Sequence, residues 1–171
     1  MGNMGKLITT ATDRVHGMAV GLLKDMDHTK AARMPEGINC NHPVFVYGHL
    51  AIYPQMIMQK LGMDPGKTAV PESYNKLFMH GVDCLDDVDG TIYPPLNEVA
   101  MSCGTAYMTL VEVTRELDDE QLVKELEDGD GFKDAFGTYG GMIMFLTHDH
   151  CMFHFGQIST WRRAMGLGSA M

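Results

Sequence analysis

The chain has 171 residues, with 13 Lys and Arg against 22 Asp and Glu, a formal charge of −9 and 45% hydrophobic residues. That length suits one domain, residues 1–171, with a real core, and an acidic chain without a basic stripe argues against binding nucleic acid or an anionic membrane. No apolar run approaches a membrane span, Lys6, Asp13 and Arg14 interrupt any N-terminal apolar segment, and Cys40, Cys84, Cys103 and Cys151 show no CxxC or framework spacing, so the expected setting is the cytoplasm with reduced thiols.

A first helix is expected from about Lys6 to Arg33, with Ile8, Ala11, Val15, Met18, Leu22 and Met26 at helical intervals and a stop before Pro35-Glu36-Gly37. The second runs from about His42 to Leu61. Asn41 suits its N-cap, Pro43 its first turn and Gly62 its end. Its apolar side is Val46, Leu50, Tyr53 and Ile57, with His49 on the edge; Gly48 leaves room for a neighbour, and Pro54 predicts a bend one turn after His49.

Residues 62–93 are too long for a simple bundle turn and imply a crossover. Their Asp83, Asp86, Asp87 and Asp89-Gly90 superficially resemble a calcium loop, but alignment on Gly90 puts Leu85 and Leu96 where acidic ligands are needed. These residues, and Asp128-Gly129-Asp130-Gly131, read as solvated acidic turns.

A third helix follows Pro94-Pro95, carrying Val99, Ala106, Leu110 and Val113 toward Leu117. Asp118-Asp119-Glu120 caps a short turn from Gln121 to Leu126. The fourth helix begins near Thr138 or Tyr139 and ends near Met165-Gly166, where Arg162 and Arg163 suit its negative end. No alternating pattern predicts strands, and the 16 methionines read as core fillers. The expected fold class is all-α, a four-helix bundle with a long crossover between helices 2 and 3.

The fourth segment carries the chemistry. Ile143, Leu146, His150, Phe153/His154, Gln157/Ile158 and Trp161 fall on one face, so the pair His150 and His154, at i and i+4, lies on the stripe expected to face the core. Buried imidazoles need partners, and this spacing lets two ring nitrogens converge on one metal ion. His148 lies roughly 200° around the helix from His150 and reads as exposed or supporting. Cys151, three residues before His154, is an alternative ligand or an inert buried thiol. On spacing alone, His49 fits either a third ligand or a hydrogen-bonded core histidine.

The Gly48-His49-Leu50-Ala51 segment, followed about a hundred residues later by His150-x-x-x-His154-x-Gly156-Gln157-Ile158, resembles the DinB-like (DinB/YfiT-like) superfamily of small metal-binding four-helix proteins, unrelated to the translesion polymerases that share the name. Tyr93-Pro94-Pro95-Leu96 and the ending Arg162-Arg163-Ala164-Met165-Gly166-Leu167 extend the resemblance over most of the chain. It implies a metal site of His49, His150 and His154.

Three neutral imidazoles leave a divalent ion's charge uncompensated and favour an anion in the open position. Three protein ligands plus water is the usual arrangement of catalytic zinc, where water reaches a pKa of about 7, and the same electrostatics lower a thiol's pKa. The expected function is a metal-dependent enzyme activating water or a thiol. The resemblance implies a choice between hydrolase and thiol-dependent S-transferase or isomerase, with a low-molecular-weight thiol as cofactor, a small-molecule substrate and a homodimeric assembly. Zinc is the expected metal, nickel the alternative. Tyr47, His148 and Asp149 are candidate proton-handling groups. The rival reading is a non-catalytic module whose ion ties helices 2 and 4 together.

Overall fold

The structure is a computed structural model and describes residues 2–129 and 131–170. Among these residues the regular structure is all-helical, and only an isolated antiparallel bridge joins Glu125 to Thr138. Among the described residues no helix is long and apolar enough to cross a membrane.

Helix α1 spans Asn3–Leu22. Its first amides are satisfied by a distant carboxylate: Asp119 accepts from Asn3 N at 3.2 Å and Met4 N at 2.9 Å. The expected continuation to Arg33 does not form. The chain turns after Leu22, and Asp25 adopts the left-handed region at φ 56°. The buried Arg162 guanidinium supplies one reason, because its Nη1 donates to the carbonyls of Leu22 at 2.9 Å and Lys24 at 2.7 Å, taking acceptors that a continuing helix would use internally. Met26 is buried from within the turn, so its helical spacing from Leu22 reflects burial without helix.

Helix α2, Pro43–Lys60, is buried at every position from Pro43 to Pro54 and runs through Pro54. Its N-cap is His42, correcting Asn41. The His42 Nδ1 accepts from Phe45 N at 3.1 Å, while Nε2 lies 3.0 Å from the Leu85 carbonyl, to which it donates. Asn41 turns elsewhere and donates to Gln157 Oε1 at 3.1 Å.

The crossover contains a 3₁₀ turn, Gly66–Thr68, and a short helix α3, Ser73–Phe78, that the sequence reading treats as connection. Helix α3 packs against α2. Gly48 is what permits this contact, since a Cβ there would lie 2.6 Å from carbons of the Phe78 ring.

Two of the acidic residues here are organisers, correcting their reading as solvated. Asp86 pairs with Arg33 Nε at 2.7 Å and accepts from Met34 N. Asp87 is only 4% exposed and accepts from the amides of Thr91, Ile92 and Tyr93. At the other acidic run, Asp128 is exposed and bridges to Lys133, whereas Asp130 lies outside the described residues.

Helix α4, Leu96–Glu116, packs along both α2 and α1. Helix α5, Asp119–Val123, opens with a capping box: Asp118 accepts from Gln121 N, and the Gln121 side chain accepts from Asp118 N. A short helix α6, Phe132–Phe136, lies between glycines with positive φ at Gly131 and Gly137.

The last long segment is continuous from Tyr139 to Ala164 but not uniformly α-helical. Helix α7, Tyr139–Met144, passes through a π-helical turn, Phe145–Asp149, into helix α8, His150–Ala164. A π turn offsets one carbonyl from the usual ladder. Here side chains surround the Leu146 carbonyl: the Tyr107 hydroxyl of α4 donates to it at 3.2 Å, and the Cys151 sulfur lies 3.4 Å away. Helix α8 packs on α1 and α2, which brings His49 opposite the start of α8.

Candidate metal centre

His49 stands midway along α2, His150 opens α8 directly after the π turn, and His154 follows one turn later. Their Nε2 atoms converge. His150 Nε2 lies 3.3 Å from His49 Nε2 and 3.0 Å from His154 Nε2, and ligand atoms of all three fall within 4.8 Å of one another. Two nitrogens each bound to zinc at about 2.05 Å with a tetrahedral angle would lie about 3.3 Å apart, so the cluster is close to the size an ion needs.

The outer nitrogens explain this orientation. His49 Nδ1 lies 2.6 Å from the Phe78 carbonyl, which can only accept, so the proton belongs on Nδ1 and the Nε2 lone pair faces inward. His154 Nδ1 lies 2.8 Å from Gln157 Oε1, an oxygen fixed by the Asn41 amide donor, and the same tautomer follows. His150 Nε2 faces both lone pairs and carries one proton at most, while its buried Nδ1 has no hydrogen-bond partner among the described residues. The single His150 proton can serve only one of the two facing lone pairs at a time, leaving the Tyr53 hydroxyl to reach His49 Nε2, whereas a cation would be held by all three inner nitrogens together. Carbonyl or amide partners on the outer nitrogen are the usual support for metal-binding imidazoles.

Burial keeps the three imidazoles in the unprotonated form that could hold a metal ion. Burial pushes the His49 pKa down to about 4, against the opposing hydrogen bond to Phe78, with His154 adding to the lowering. Burial, followed by the neighbouring His154 and His49, pushes His150 to about 3. His154 is also lowered by burial. All three are neutral at pH 7.

One polar neighbour is not evident from the apolar sequence pattern. Tyr53, assigned there to the apolar side of α2, places its hydroxyl 3.2 Å from His49 Nε2. Burial raises its pKa to about 12, so it is a protonated donor at neutral pH. The signal was present in its i, i+4 spacing from His49, the same spacing that identified the His150 and His154 pair.

The other candidates separate from the cluster. Tyr47 points toward α1, donating to the Ala19 carbonyl at 2.5 Å. His148 is half-buried and pairs with the exposed Asp149 at 2.8 Å; Asp149 lines the surrounding cleft without joining the three histidines. Cys151 is buried, with its sulfur 3.2 Å from the Tyr107 hydroxyl, which removes it as a competing ligand in this arrangement. Phe153, expected on the core stripe, is 66% exposed.

The histidines open onto a cleft of about 1030 Å³, lined by α2, the residues after α3, α6 and the start of α8. Comparison with known family models, curated proteins and solved structures gives no match.

Proposed function

We propose that this protein is a metal-dependent enzyme in which His49, His150 and His154 hold a divalent ion, zinc by preference and nickel as the alternative. The observation that carries this reading is the convergence of three Nε2 atoms, two of them oriented by acceptors on the opposite ring nitrogen. A divalent ion held there supplies a Lewis acid that lowers the pKa of a coordinated water or thiol.

The chain's own groups then have distinct tasks. Phe78 and Gln157 fix the tautomers of His49 and His154. The Tyr53 hydroxyl offers a hydrogen bond to a substrate beside His49. The reaction is hydrolysis or thiol-dependent S-transfer or isomerisation of a small molecule, with a low-molecular-weight thiol as co-substrate in the latter cases. The open cleft favours an enzyme over a module in which the ion only ties helices together.

The architecture we propose is the DinB-like four-helix bundle, with α1, α2, α4 and the α7–α8 segment as its helices and the α3 region as its crossover. A cytoplasmic homodimer belongs to the same reading; exposed Leu7 and Val20 on α1, with Met101 and Met108 on α4, supply apolar surface for association. Sedimentation velocity tests the dimer.

Chelator-stripped protein and protein reloaded with zinc or nickel should be compared for thiol addition to small electrophiles and for ester hydrolysis. Turnover only in reloaded protein, abolished in His49→Ala, His150→Ala and His154→Ala, is expected. Equal turnover in stripped and reloaded protein would contradict the metal role.

A further inference from the structure

Each of the three histidines has a phenylalanine against it. Phe45 lies parallel to His49 at 6.2 Å, Phe145 nearly parallel to His150 at 6.0 Å, and Phe153 edge-on to His154 at 5.3 Å. From Phe145 an aromatic row continues outward to Phe136 at 5.1 Å and from there to Phe132 at 5.5 Å. The last two sit one turn apart on α6, a helix with no buried residue. Phe153 is largely exposed although it borders the cleft.

Charge is distributed differently. Among the described residues no Lys or Arg lines the cleft, and Asp149 is the acidic residue in its lining. Lys60 lies 5.0 Å from the centroid of the Phe132 ring but is not part of that lining. A substrate with several carboxylates or phosphates would find no guanidinium or ammonium in the lining to receive its additional charges. One anionic group suits an ion on neutral imidazoles, and the remaining walls suit an apolar body.

We propose that the cleft selects monoanionic small molecules with an aromatic or similarly bulky apolar body, the anionic head directed to the three histidines and the body lying along the Phe145, Phe136 and Phe132 row. This rests on the metal reading above and adds the substrate class. It predicts discrimination against polyanionic peptide-like thiols in favour of compact apolar thiols or carboxylates. The half-buried Phe132 and Phe136 and the exposed Phe145 then have a binding role: desolvating a phenyl-sized body against them provides the affinity that a single head group lacks.

The test uses full-length zinc-loaded protein and calorimetric titration with 4-phenylbutyrate, butyrate and succinate, after zinc content has been measured by elemental analysis. 4-Phenylbutyrate should bind about tenfold or more tightly than butyrate, and succinate no more tightly than butyrate. Phe136→Ala and Phe132→Ala should each reduce the phenylbutyrate advantage several-fold while butyrate binding and zinc content stay unchanged. Equal affinities for phenylbutyrate and butyrate, tighter binding of succinate, or an unchanged preference in both variants would overturn the inference. Zinc uptake without apolar selectivity would leave the metal reading standing, whereas absent zinc uptake would contradict that reading separately.

Discussion

At the scale of single residues, burial fixes the state of the imidazoles on which the structure depends. His42 caps α2 through an unprotonated Nδ1, and burial pushes its pKa to about 4, against the opposing Leu85 hydrogen bond. His49 and His150 are lowered to about 4 and about 3. Unfolded histidine titrates near 6.5, so between that pH and the lowered values the unfolded chain binds more protons. The stability from neutral imidazoles is therefore fully present above about pH 6.5 and is lost as pH falls toward 4 and then 3. Metal-free protein should show a lower urea midpoint at pH 5 than at pH 7.5. His42→Asn, which retains an N-cap acceptor without a titrating ring, should flatten that dependence; an unchanged slope would contradict the His42 contribution. A second prediction concerns Gln157, whose oxygen orients His154. Gln157→Ala should weaken zinc affinity roughly 10- to 100-fold in a competitive chelator titration, with little change in helical signal. The His150 and His154 pair was legible in the sequence because both side chains share one helix and one spacing. Asp87 was misread because composition cannot reveal that three amides surround a carboxylate.

Between residues and the whole fold, short elements set the site's geometry. Gly48 admits the Phe78 ring against α2, and the Phe78 carbonyl orients His49. Gly48→Ala should therefore destabilise the protein by about 1–3 kcal/mol through overpacking and weaken metal binding as well. Thermal unfolding and chelator competition measure the two effects; a variant with parent-like values in both would remove Gly48 from this role. The π turn supports His150 in a comparable way. Tyr107→Phe removes the hydroxyl donor to the Leu146 carbonyl and should cost about 1–2 kcal/mol, with weaker zinc binding from displacement of His150. Parent-like zinc affinity would detach that turn from the site. Neither the π turn nor α3 was legible in advance. A π turn preserves the apolar character of its segment, and α3 is too short for a periodic pattern to emerge. The premature end of α1 was hidden because buried turn residues imitate a helical stripe.

For the whole molecule, packing joins residues separated by a hundred positions, with α2 and α8 presenting opposite sides of one cluster. The long helices were legible because their apolar periodicity and Gly and Pro boundaries persist over many turns. The crossover's contribution was not, since its role lies in where it packs: its Phe78 carbonyl reaches His49, and Met79, His80, Gly81 and Val82 line the cleft. Zinc titration of untagged protein, with elemental analysis of the parent and of His49→Ala, His150→Ala and His154→Ala, tests the metal centre most directly. One equivalent in the parent, with binding lost or greatly weakened in each variant while its helical spectrum persists, is the expected result. A folded parent that takes up no zinc or nickel, or variants that bind the parent's complement with unchanged affinity, would contradict the assignment of these histidines as metal ligands.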